Sequence, residues 1–215
     1  MDPTFWHQKW QSSELGFHLP QVHPLLKRHL DNLSLKAGQT VFLPLCGKTL
    51  DIGYLLGQGF SVIGAELSDK AVSDLFASLN HQPEITPWKG GNRYQNGDLT
   101  VFQGDIFVLQ SSDLGAVDAS YDRAALVALP GAMRERYANH LITLTDKAPQ
   151  LLITLEYDQK QMDGPPFSVG EQQVQTLYEN DYRIAPLSRK MILDYEPVFR
   201  ERGLTVLYEN AFLLK

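Results

Sequence analysis

Cysteine is nearly absent: Cys46 is the only one in 215 residues. An intramolecular disulfide is therefore excluded, and so is a zinc cage built on several thiolates. Excess positive charge is also missing. A net charge of −6 and a pI near 5.5 argue against nucleic acid or an anionic membrane as main partner. Apolar runs stay well short of the ~18 residues needed to span a bilayer. The first residues, M-D-P-T-F-W-H-Q-K-W, lack the basic start and apolar stretch of a secretory signal. A cytoplasmic protein with no membrane partner is the expectation. Glycine is sparse where two familiar phosphate-binding loops need it. Gly47-Lys48-Thr49 suggests a P-loop, but Phe42 stands where the pattern needs its first glycine. The dinucleotide G-x-G-x-x-G is missing too, which weighs against NAD. No H-E-x-x-H occurs, and His23 and His29 fall on different helix faces, so no metal is expected. Nor is there a G-x-S-x-G elbow for a hydrolase.

What is present centres on Thr40 to Glu66. Val41, Phe42, Leu43 and Leu45 form one short apolar run, broken by Pro44 and stopped by Cys46-Gly47. Val62, Ile63, Ala65 and Leu67 form a second. Runs of this kind suit strands covered on both faces of a parallel sheet. Pro24 suits the first turn of a helix carrying Leu25, Leu26, His29, Leu30 and Leu33 inward. Ser68 can cap a helix with Ala71, Val72, Leu75, Phe76 and Leu79 on one stripe. Asn96-Gly97 signals a two-residue hairpin whose second arm ends at Gln103-Gly104-Asp105 and forms the third sheet strand, while 83–91 reads as loop.

Further on, 117–121 reads as a strand closed by Asp122-Arg123. A helix from Pro130 keeps Arg134, Glu135 and Arg136 mostly outward, and 151–155 is a buried strand. Ser168 and Glu171 offer a capping box, 182–193 and 205–214 read as closing strands, and Asp194 caps a helix that stops at Gly203. This alternation predicts one α/β domain over 1–215, with a doubly wound sheet. No repeat or interdomain linker is visible.

Ligands in such sheets bind beyond the carboxyl ends of the strands. Four strand ends carry suitable groups there: Leu45-Cys46-Gly47, Glu66, Asp105 and Asp122-Arg123. Glu66 lies about twenty residues past the first turn, where a carboxylate accepts ribose hydroxyls; alternatively it stabilises the helix start at Ser68. Asp105 either accepts an adenine amino group or shapes a turn after Gly104. Arg123 either directs its guanidinium into the crevice or pairs with Asp122 or Asp118. Cys46 suits a small buried hydrophobe better than a nucleophile. Trp10 and Phe17 belong either to the core or to a flap formed by residues 1–22. Trp6 and Trp10, four apart, share a helix face.

Six blocks then carry a resemblance: W-H-Q-K-W at 6–10, G-F-H at 16–18, F-L-P-L-C-G-K at 42–48, V-I-G-A-E at 62–66, Y-D-R-A-A-L-V-A at 121–128 and G-P-P-F at 164–167. In these the chain resembles the thiopurine S-methyltransferase family, specifically its bacterial branch. The resemblance implies a class I methyltransferase (Rossmann-like) fold, a seven-stranded, mostly parallel sheet with an antiparallel C-terminal strand. It implies S-adenosyl-L-methionine as cofactor, S-adenosyl-L-homocysteine as product and a small-molecule thiol as methyl acceptor. By the same resemblance Trp10 (in a lid over 1–22), Leu45 (through its backbone), Glu66 and Arg123 contact the cofactor, with Asp105 near the adenine. Phe17 and Arg123 meet the substrate. The first loop, Pro44-Leu45-Cys46, departs from the glycine-rich loop of most class I methyltransferases, as is typical of this family. A heterocyclic thiol methylated by in-line displacement is the expected reaction, in a monomer. Selenium or tellurium species as native acceptors (metalloid resistance), an NAD-dependent oxidoreductase and a non-catalytic S-adenosylmethionine sensor are the alternatives.

Overall fold

The computed structural model describes residues 3–12, 16 and 18–215. Helix α1 (Pro3–Gln11) precedes α2 (Pro24–His29), which begins at its proline and continues into a 3₁₀ turn over Leu30–Leu33. Strand β1 (Thr40–Leu43), α3 (Leu50–Gly57), β2 (Ser61–Glu66) and α4 (Asp69–Ser78) follow. Strands β3 (Glu84–Trp88), β4 (Gly91–Asn96) and β5 (Leu99–Gly104) form a meander. Then come α5 (Ser111–Leu114), β6 (Ala119–Arg123), α6 (Gly131–Leu144) and β7 (Gln150–Glu156). Helix α7 (Glu171–Tyr178), β8 (Ile184–Met191), α8 (Pro197–Glu201) and β9 (Tyr208–Leu214) complete the chain.

The strands of the described residues join one sheet in the order β3-β4-β5-β2-β1-β6-β7-β9-β8. Strands β5, β2, β1, β6 and β7 run parallel, and β9 runs antiparallel to both β7 and β8. The central strands are apolar on both sides because helices cover both. Val41 and Leu43 pack toward α2, α3 and α4, whereas Phe42 between them packs toward α6 and α7. This is period-two alternation inside a doubly covered sheet. Leu26, Ile52, Leu55 and Leu75 fill the first layer, and Tyr137, Leu141, Val174 and Tyr178 the second, each at most 1% exposed. A leucine buried so completely contributes roughly 1.5–3 kcal/mol. Helix α4 follows its expected pattern: Ser68 accepts the Ala71 N–H at 3.3 Å, and Ala71, Val72, Leu75 and Phe76 form the buried stripe.

Among the described residues nine strands are found where seven were expected. The additional pair lies at one edge, where β3 occupies the stretch read as loop and β4 links it to β5. Strand β3 escaped notice because Glu84, Ile85, Thr86 and Pro87 are all exposed, so it carries no burial pattern. Pro87 is tolerated because an edge strand has one side with no ladder to donate to. The Asn96-Gly97 hairpin is present as expected, with Gly97 at φ +54°.

Other differences are local. Asp122 and Arg123 end β6 rather than following it. Arg134 does not face outward; it is 5% exposed and donates to the Leu129 and Ser168 carbonyls at 2.9 and 3.1 Å. Ser168 does not cap α7, which begins after Gly170; its hydroxyl donates instead to the Tyr157 carbonyl at 2.7 Å. Asp194 lies in a 3₁₀ turn, and α8 begins three residues later at Pro197.

Candidate active site at the carboxyl edge of the sheet

The carboxyl ends of β1, β2, β5, β6 and β7 share one edge of the sheet. The loop after β1 is tight: Leu45 (φ +45°) and Gly47 (φ +54°) both adopt the left-handed region. A leucine there carries strain that surrounding bonds must hold. Two such bonds are visible. The Cys46 N–H donates to the Ala65 carbonyl at 2.9 Å, and the Gly47 N–H donates to Glu66 Oε2 at 2.8 Å.

Glu66 Oε1 accepts the Ser68 N–H at 2.8 Å, so this one carboxylate joins the loop after β1 to the start of α4. The side chain is 6% exposed. Burial pushes its pKa up, opposed by N–H groups of Ser68, Gly47 and Leu67. With those three N–H groups on a carboxylate of about four lone-pair sites, one further donor can still be accepted. The helix-stabilising alternative for Glu66 is thus present in the structure, and it does not exhaust the carboxylate.

Two glycine-level contacts shape the same lip. A Cβ at Gly64 would stand 2.8 Å from Cys46 Sγ, and one at Gly47 would stand 3.1 Å from the Trp10 indole. Trp10 therefore lies across the first loop, 3% exposed, with Lys48 Nζ 5.9 Å from its ring centroid. Lys48 in turn bonds Asp74 of α4 at 3.1 Å. Cys46 is buried, and burial beside Glu66 pushes its thiol pKa well up, which removes it as a nucleophile.

Asp105, at the end of β5, is exposed and accepts the Phe107 N–H at 3.0 Å, capping the 3₁₀ turn Ile106–Val108. This is the turn-forming alternative. Beside it, Gln103 Nε2 donates to the Leu67 carbonyl at 2.9 Å and ties the ends of β5 and β2 together.

Arg123, half-buried, ends β6. Both acids proposed as ion-pair partners are engaged elsewhere. Asp122 points to the opposite layer, where it accepts the Tyr137 hydroxyl at 2.7 Å and the Leu126 N–H at 3.1 Å. Asp118 accepts the Thr40 N–H at 2.8 Å, at the other end of the sheet. Burial pushes Asp122 up to about 6. Arg123 sits close enough to His18 and Glu196 to act on both. His18 is lowered by burial, then by Lys48 and Arg123; Glu196 is raised by burial and Glu209, with Arg123 opposing. The expectation for Phe17 lies outside the described residues.

Sequence reasoning missed Glu196, on which Arg123 acts, and the linked groups His23, Asp51 and Glu209. His18 sat inside a recognised block without an assigned role. Only Asp51, a polar residue just inside α3, gave a local signal. Among the described residues, no group of three or more His, Cys, Asp or Glu side chains could hold a metal ion.

The family model described as Thiopurine S-methyltransferase (TPMT) matches residues 1–215. A thiopurine S-methyltransferase of Pseudomonas paraeruginosa is 48% identical over 216 residues, covering 100% of this chain and 99% of its own. One of Xanthobacter autotrophicus is 52% identical over 188 residues, 87% of this chain and 88% of its own. Among solved structures, an S-adenosylmethionine-dependent methyltransferase from Anabaena variabilis superposes with TM-score 0.66 at 13% identity, covering 99% of this chain and 94% of that one. A 1,6-didemethyltoxoflavin-N1-methyltransferase from Burkholderia thailandensis, with 1,6-didemethyltoxoflavin and S-adenosylhomocysteine bound, gives 0.62 at 12%, covering 99% and 87%.

Proposed function

The chain belongs to the thiopurine S-methyltransferase family, and from that membership we propose that it is an S-adenosylmethionine-dependent S-methyltransferase acting on a small-molecule thiol. The observation that carries the reading within the site is Glu66, a buried carboxylate fixed by two backbone N–H groups with acceptor capacity left over. An adenosine group fits such a lip: its ribose needs acceptors, and without a pyrophosphate it needs no glycine cradle. Leu45 would offer its backbone, Trp10 its indole face and Asp105 its exposed carboxylate.

When bound, S-adenosylmethionine supplies a sulfonium-activated methyl group, which passes in line to the acceptor sulfur and leaves S-adenosylhomocysteine and a thioether. The protein's part is orientation and exclusion of water. A heterocyclic thiol ionises readily near neutral pH, so no strong general base is required of the chain. Arg123, beside Lys48 and His18, favours an anionic acceptor electrostatically. Trp10 and the segment around it form the lid that closes over the reacting groups.

The finer parts of the proposal are a heterocyclic thiol as acceptor, a monomer as the working unit and the cytoplasm as its compartment. The comparisons give the oxidoreductase, sensor and metalloid alternatives no support. A turnover assay tests the proposal: protein, S-adenosylmethionine and a panel of thiol and selenium acceptors, read as S-adenosylhomocysteine and methylated product. Methylation of heterocyclic thiols is expected. Cofactor binding with no turnover of any acceptor would return the sensor reading.

A further inference from the structure

Gly47-Lys48-Thr49 does not belong to a P-loop, so its lysine is left without that role. The surroundings of Lys48 supply another. Its Nζ donates to Asp74 Oδ2 at 3.1 Å, and the same carboxylate accepts Lys70 Nζ at 3.1 and 3.0 Å. Lys70 and Asp74 are four apart on α4, so that pair is internal to the helix. Lys48 is the arm that crosses over from the first loop. Burial pushes the Asp74 pKa up, but the bonds and charges of Lys70 and Lys48 outweigh it and the shift is downward.

Two bridges thus join the same pair of segments. The inner one is Glu66, whose oxygens accept the Gly47 and Ser68 N–H groups, each at 2.8 Å. The outer one, Lys48 to Asp74, joins the next residue of the loop to the second turn of α4. Trp10 rests on this loop. A Cβ at Gly47 would stand 3.1 and 3.4 Å from two atoms of its indole, and Lys48 Nζ stands 5.9 Å from its ring centroid. The indole is buried, whereas the Lys48 and Asp74 side chains are part-exposed. An ammonium at that distance is attracted to an indole face. A long lysine stem loses rotamer freedom when its head is fixed, and the bond to Asp74 offsets that loss.

We propose that Lys48 and Asp74 are positioning residues for cofactor binding: the α4 carboxylate holds the Lys48 ammonium over the Trp10 indole, and this keeps the lid seated on the first loop beside Glu66. The inference rests on the reading that Trp10 closes over the cofactor. A part-exposed ion pair and a cation–π contact near 6 Å are each weak, so the effects expected are several-fold and not larger.

The test is the Kd for S-adenosylhomocysteine, measured by calorimetry for Lys48→Met, Lys48→Arg, Asp74→Ala, Trp10→Leu and the pair Lys48→Met with Trp10→Leu. Methionine keeps an unbranched apolar stem without the charge. Arginine keeps a cation able to stack on the indole, and leucine fills space without a π face. Lys48→Met is expected to raise Kd about fivefold and Asp74→Ala about threefold, with Lys48→Arg within about twofold of wild type. In the Trp10→Leu background Lys48→Met should add almost nothing, since the ring through which it acts is gone. An unchanged Kd in Lys48→Met or in Asp74→Ala overturns the proposal. So does a fivefold loss that persists beside Trp10→Leu, which would make Lys48 a direct cofactor contact. Should Trp10→Leu fail to fold, 5′-methylthioadenosine decides, because it lacks the amino-acid end of the cofactor. Lys48→Met should weaken its binding by the same factor, and a loss confined to S-adenosylhomocysteine contradicts the proposal. Trp10→Leu alone separates the two levels. If it holds S-adenosylhomocysteine as tightly as the wild type, the lid reading fails; if it weakens binding while Lys48→Met does not, only the role of Lys48 and Asp74 fails.

Discussion

The two halves of the sheet's carboxyl edge are built differently. Around β1, β2 and β5 the geometry is held by near neighbours and by the backbone. Glu66 binds N–H groups at Gly47 and Ser68, Cys46 packs on Gly64, and Gln103 reaches the Leu67 carbonyl. Around β6, β7 and β9 it is held by side chains distant in sequence, such as His23 on Glu209 and Tyr121 on Asp51. The contrast suits their proposed tasks. On that proposal a cofactor of one fixed shape would be met by a tightly held loop, and an acceptor that varies by charges whose positions can be tuned.

Substitutions can break that comparison. Gly64→Ala should have the largest effect on the fold, because its Cβ would meet Cys46 Sγ at 2.8 Å and Val101 at 3.4 Å. A cost of about 1–3 kcal/mol in denaturant unfolding is expected. Cys46→Ala in the same chain should recover part of it. Full stability in Gly64→Ala would show the first half to be less tightly packed than described.

Arg123→Ala should leave unfolding nearly unchanged and lower kcat/KM at least about tenfold, equivalent to ~1.4 kcal/mol of transition-state binding. Unchanged kinetics would remove Arg123 from the acceptor half.

The smallest effect concerns Asp122, one residue from Arg123 but in the opposite layer. Its folded-state pKa, pushed up to about 6 by burial, lies above the ordinary carboxyl value of 3.8, so the native protein binds this proton more tightly than the unfolded chain. The resulting stabilisation is complete below about pH 4 and is lost as pH rises through about 6. Asp122→Asn should flatten unfolding free energy against pH in that window, removing a fraction of the ~1.4 kcal/mol per pH unit that one proton allows. An unaltered slope would mean that Asp122 stays ionised throughout.

Legibility in the sequence followed the same division. The β1–β2 unit could be read because its information is local: apolar runs, a capping serine and an acid at a set spacing. Arg123 was legible for a similar reason, as the end of an apolar strand. Strand β3 was not, since an exposed edge strand carries no hydrophobic alternation and Pro87 reads as loop. Arg134 looked like one of three surface charges; the carbonyls of Leu129 and Ser168 that bury it are set by tertiary packing. Glu209 and His23 could not be paired from sequence, because only the antiparallel return of β9 beside β7 brings them together.

The central claim is that Glu66 anchors an adenosine cofactor without a pyrophosphate. Calorimetric titration with S-adenosylhomocysteine, with NAD alongside, on the wild type and Glu66→Ala tests it most directly. Micromolar binding of S-adenosylhomocysteine alone is expected, weakened about a hundredfold, ~2.7 kcal/mol, by the substitution. Binding of NAD, or a Glu66→Ala protein that holds S-adenosylhomocysteine as tightly as the wild type, would contradict the account.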